Sequence, residues 1–75
     1  MKYEIDTKDG MDGFGERIRL IMHKRRMTQR ALAQASGITE AYLCRVMKGI
    51  NDPTVKRAAR IAQALNVSLD WLCGI

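Results

Sequence analysis

Apolar residues return every three or four positions through most of this chain, and the register restarts at successive Thr, Ser and Gly residues. Phe14, Ile18, Ile21 and Met22 fall on one stripe, which predicts a first helix over residues 14–26. His23 lies off that stripe, while Lys24, Arg25 and Arg26 fill the last turn, where cations complement the helix dipole. A second helix begins from Thr28 as N-cap and stops at Gly37, with Leu32, Ala33 and Ala35 on its buried side. A third begins from Thr39 and ends near residues 48–49. Its core stripe is Leu43, Val46 and Met47, joined by Ile38 ahead of the cap, so Glu40, Ala41, Cys44, Arg45 and Lys48 face elsewhere. The segment GINDP is rich in helix-stopping residues and reads as a turn. A fourth helix follows over residues 54–65, with Val55, Ala58, Ile61, Ala62 and Leu65 inward. Asn66 closes it, and Ser68 caps a short fifth helix, LDWLC. Residues 1–13 are polar and punctuated by Gly, a flexible segment or a strand-like arm through Tyr3 and Ile5. The expected domain is therefore residues 14–75, all-α, with five helices on one core.

The second and third helices are too short to persist alone in water, where isolated helices below about 12–15 residues are marginal. Their spacing gives the reason for their pairing. Counting from Gln29, an Ala falls fifth (Ala33) and a Gly ninth (Gly37), with Leu32, Ile38, Leu43 and Val46 at the fourth, tenth, fifteenth and eighteenth places. Ala33 is small where the two helices cross closely, and Gly37 supplies the left-handed turn that joins them. The apolar positions lock the angle and leave one face of the third helix uncovered. Such a helix-turn-helix can lay its second helix in the DNA major groove.

Charge agrees. The chain carries a net charge of +5, and residues 1–12 hold two lysines against four acids, so the basic excess lies in residues 13–75. A balance of that kind suits a polyanion. The length of 75 residues allows one domain with a small core. The lone His23 and the isolated Cys44 and Cys73 have no metal-ligand spacing, so no metal or other cofactor is implied and both cysteines read as reduced thiols. No signal peptide and no apolar run of about 18 residues is present, so the chain reads as soluble and cytoplasmic, without a membrane partner.

The pieces GERIR, MTQRALAQASGIT and KGINDPTVKRAARIAQALNVSLDWL extend the match beyond one motif. With their P-x(7)-IA-x-AL-x-VS-x-DWL ending, residues 14–72 resemble the lambda-repressor/Cro-type helix-turn-helix family, also called the XRE family. The resemblance implies a five-helix lambda-repressor-like domain, a repressor, and a homodimer on a palindromic operator. It also implies base-edge contacts from Glu40, Ala41, Cys44 and Arg45. Phosphate contacts are implied from Thr28 and Gln29 and from the segment between Lys48 and Thr54. Tyr42 is bulkier than the Ser or Thr often found at its position and is expected near the DNA backbone, where its hydroxyl could reach a phosphate. Where many relatives pair a buried Arg with a Glu, this chain has Met22 and Met47, so a packing contact is expected in place of an ion pair. The apolar Leu69, Trp71 and Leu72 exceed what so short a fifth helix should bury, and are expected at the dimer interface.

Together these features describe a sequence-specific DNA-binding transcriptional regulator, a repressor acting on double-stranded DNA as a homodimer. Two alternatives use the same fold. One is the antitoxin of a toxin–antitoxin pair; the other is the DNA-binding domain of a longer repressor. A toxin or an inducer protein is the candidate protein partner. An enzyme is excluded by the lack of an acid/base pair, metal cluster or phosphate loop, leaving no catalytic residue to name.

Overall fold

The computed structural model describes residues 13–75. These form α1 (Phe14–Arg25), α2 (Gln29–Ser36), α3 (Glu40–Met47), α4 (Val55–Leu65) and α5 (Leu69–Cys73), with no strand among the described residues. The arm expected over residues 1–13, with Tyr3 and Ile5, lies outside them except for Gly13.

The four later helices open from hydroxyl caps, as the sequence predicts. Thr28 accepts from the Ala31 N–H at 3.0 Å and Thr39 from the Tyr42 N–H at 3.1 Å. Thr54 accepts from the Arg57 N–H at 3.2 Å, and Ser68 from the Trp71 N–H at 3.1 Å. Each such cap satisfies one orphan N–H and stabilises by about 1 kcal/mol. α1 stops one residue short of the 14–26 pattern because Arg26 turns left-handed, with φ of 53°, and its N–H donates to the His23 carbonyl.

Ile18 of α1, Leu32 of α2, Leu43 of α3, Ile61 and Leu65 of α4, and Leu72 of α5 are the largest wholly buried side chains. Every helix therefore contributes to one interior, and burying each such side chain stabilises by about 1.5–3 kcal/mol. α2 packs most extensively on α4, and α1 on α3. The α1–α3 approach is close enough that a Cβ on Gly15 would run into the Met47 carbonyl oxygen. Met22 and Met47 are both buried in the shared core, on these two packed helices.

Four placements differ from the hydrophobic pattern. Val55 is 78% exposed, because it is the first residue of α4 and the inward stripe begins a turn later, at Ala58. On α2 the buried position is Ser36 rather than Ala35; its hydroxyl donates to the Leu32 carbonyl at 2.6 Å, which makes a polar side chain tolerable there. Leu72 is 0% exposed within its own domain, so α5 does bury its central apolar residue and Leu72 offers no surface for a dimer. Arg17 is only 3% exposed. It belongs to the 14, 18, 21, 22 stripe by spacing, and its guanidinium lies against Gly74 at the end of α5, where carbonyls favour a cation. The same end holds Cys73, whose thiol is pushed above its ordinary range by burial and by the Asp70 charge, with Arg17 acting in the opposite sense. Among the described residues no helix is long and apolar enough to cross a membrane.

Candidate nucleic-acid interface

Residues 37–39 make the turn between α2 and α3. Gly37 takes φ of 73°, the left-handed conformation its sequence position calls for, and the Ile38 N–H returns to the Ala33 carbonyl at 3.1 Å. Ile38 is half-buried, and Thr39 is extended and caps α3. Both helices are thus fixed at their facing ends by main-chain and side-chain hydrogen bonds.

α3 then divides into two faces. Leu43, Val46 and Met47 are buried, while Ala41, Arg45 and Lys48 are exposed along one run, with Cys44 half-buried beside them. Ala41 and Cys44 are small and leave room for a base edge. Arg45 carries the planar donor fork that fits guanine O6 and N7. Its backbone is held by the following turn, since the Ile50 N–H donates to the Arg45 carbonyl at 2.9 Å. Glu40 is also exposed, but its carboxylate is drawn toward α2, with Oε1 3.6 Å from Arg30 Nε. That pair is worth little energetically, both partners being solvated, yet it orients the one acid of α3.

The residues expected to touch phosphate sit at helix ends. Thr28 and Thr54 are exposed N-caps whose oxygens accept from main-chain N–H groups, so each hydroxyl proton stays available to a phosphate oxygen. Gln29 is half-buried at the first position of α2, and Lys48 is the exposed C-cap of α3. Tyr42 is half-buried and turns toward α4, where the Arg57 guanidinium lies 4.8 Å from its ring centroid. The sequence pattern does not single out Arg57, Arg60 or Arg30, which the fold brings beside α3. Arg57 and Arg60 stand three apart on α4, off its apolar stripe, a signal for a shared exposed face but not for what that face meets. Leu69 and Trp71 of the expected dimer segment are half-buried.

A family model described as helix-turn-helix matches residues 17–72. Among solved structures, the chain is similar to the crystal structure of the restriction-modification controller protein C.AhdI from Aeromonas hydrophila. The TM-score is 0.78, at 26% identity, over 83% of this chain and 94% of that one. Comparison with curated protein sequences finds no match.

Proposed function

The chain belongs to the XRE-type helix-turn-helix family of DNA-binding transcription regulators, and from that premise we propose that it is a repressor binding a palindromic operator as a homodimer. The observation that carries this is the uncovered face of α3. Ala41, Cys44 and Arg45 form a readable surface on a capped, rigidly held helix, flanked by exposed hydroxyl caps and Lys48. In this reading Arg45, with Glu40, Ala41 and Cys44, meets base edges. Thr28, Gln29, Tyr42, Lys48 and Thr54 meet the backbone, fixing register without reading sequence. Dimerisation uses Leu69 and Trp71, which keep part of their apolar surface exposed after the domain has folded.

The test is selection from a random DNA pool followed by footprinting. The expected result is a two-fold symmetric site with half-sites about 34–36 Å apart, one turn of duplex. A protected site without symmetry, bound by a monomer, refutes the dimeric repressor. The similarity to a restriction-modification controller protein supports a second reading of the target, namely the genes of a restriction–modification pair. A reporter driven by such a promoter would respond to the chain if that reading is right.

A further inference from the structure

Charge is divided unevenly along this chain. Residues 1–12 hold Glu4, Asp6, Asp9 and Asp12 against Lys2 and Lys8, whereas the whole chain carries a net charge of +5, so an acidic segment precedes a strongly basic domain. The fold sets where the two meet. Gly13 lines a pocket of about 370 Å³ together with Met47 and Lys48, so whatever precedes it is tethered at the carboxyl end of α3. From that end α3 runs only about 12 Å, eight residues at about 1.5 Å each. Toward its other end Arg45, Arg57 and Arg60 line a groove of about 500 Å³, with the Arg57 guanidinium 4.8 Å from the Tyr42 ring centroid. That lining holds no carboxylate, and the nearby Glu40 is drawn toward Arg30 on α2. Three guanidinium groups around one space repel one another, and carboxylates between them relieve the repulsion.

We propose that the acidic segment before Gly13 docks along the exposed face of α3, with its carboxylates in the arginine groove, and so competes in cis with DNA for that face. The docking half stands on charge and tether alone; the competition half goes beyond the DNA-binding reading above and rests on it. An extended chain spans about 3.3–3.6 Å per residue, so Asp9 reaches about 13 Å from Gly13 and Asp6 about 23 Å. Both distances exceed the length of α3, and the second approaches the 28 Å longest extent of the domain. Glu4 and Asp6 stand two apart, the spacing that puts two side chains on one side of an extended chain. A short tether holds such groups at an effective concentration in the millimolar range, so ion pairs too weak to retain a free peptide retain this one. DNA reaches α3 only in molecules whose segment has left, and the apparent affinity falls by the undocked fraction for every duplex alike.

The experiment compares the full chain with one variant that combines Glu4→Gln, Asp6→Asn, Asp9→Asn and Asp12→Asn. NMR resonances of backbone amides and arginine side chains are recorded first, without DNA. At low salt those of Arg45, Lys48, Arg57 and Arg60 are expected to differ between the two proteins. The difference is expected to vanish at about 1 M salt, where the screening length falls to about 3 Å. Affinity for the duplex that the wild-type chain selects from a random pool is measured next. The variant is expected to bind more tightly, by at least the reciprocal of the undocked fraction that the resonances report, with base preference unchanged. Identical groove resonances in the two proteins overturn the docking even if affinity rises, because the lost charge then only reduces general repulsion of DNA. Differences confined to surfaces away from α3 and the groove overturn it as well. Groove differences without a gain in affinity overturn the competition. Failure of the wild-type chain to select any duplex overturns the DNA-binding reading instead and leaves the first measurement standing.

Discussion

Arg45 and Lys48 lie three residues apart on the same exposed run, yet the proposed function gives them different work on DNA. Arg45 projects from the body of α3, whereas Lys48 closes it at the edge of the turn. Arg45→Ala is expected to cost about 1–3 kcal/mol of binding and to relax preference at one base pair of each half-site. Lys48→Ala is expected to weaken all sequences alike and to reduce the salt slope by about one. A panel of single-base operator variants titrated at several salt concentrations separates the two. If Arg45→Ala spares base preference and changes only the slope, Arg45 is a phosphate anchor. That Arg45 is exposed was legible in the sequence, because it falls off a three-residue apolar stripe. Burial of Arg17 was legible in spacing but opposed by its charge, and only the end of α5 folding over α1 resolves the conflict. The Arg57–Tyr42 stack was not legible. It depends on the angle at which α3 meets α4, and no local pattern encodes that angle.

At the scale of helices, two tests bear on how α1 holds α3. Ala is a better helix former than Gly by about 0.8–1.0 kcal/mol, so propensity alone favours Gly15→Ala. Against it, the new Cβ meets the Met47 carbonyl, a main-chain atom that cannot rotate aside. Overpacking of that kind costs about 1–3 kcal/mol, so the variant should melt at a lower temperature than the wild type. A higher melting temperature would mean that α1 and α3 are not in backbone contact. The methionines test the same joint from the core. Met47→Ala should cost about 2–5 kcal/mol, and Met22→Arg should be more damaging than Met22→Arg combined with Met47→Glu, which supplies the missing counter-charge. Equal stability of single and double variants would show the two positions to be uncoupled. Helix boundaries were read well because four of the five starts depend on a Thr or Ser hydroxyl, a local device. Val55 and Ala35 were misread because periodicity gives a face and not where the core ends. At a helix end or a polar core position, the neighbouring helices decide.

For the whole molecule, assembly turns on separating what α5 does inside its domain from what it offers outside. Leu72 belongs to the core, so Leu72→Ala should lower stability by about 2–5 kcal/mol at every protein concentration. Leu69 and Trp71 are half-buried and keep some apolar surface in solvent, so Leu69→Glu and Trp71→Glu should act on association instead. A dimer that is more stable than its monomers melts at a temperature that rises with concentration. The wild-type chain is therefore expected to show that rise, and the two glutamate variants to lose most of it and to leave a footprint over single half-sites. Apart from Ile75 beyond α5, the exposed large hydrophobics among the described residues are Ile50 (66% exposed) and Val55, on the segment between α3 and α4 and at the start of α4. If Ile50→Ser and Val55→Ser abolish the concentration dependence while Leu69→Glu and Trp71→Glu spare it, the two-fold axis passes that segment and the α5 interface is wrong. Operator half-site spacing measured on the same proteins checks the melting result independently: a two-fold dimer that occupies both half-sites holds its reading helices one duplex turn, or a multiple of it, apart, whereas subunits that do not associate protect half-sites without fixed spacing.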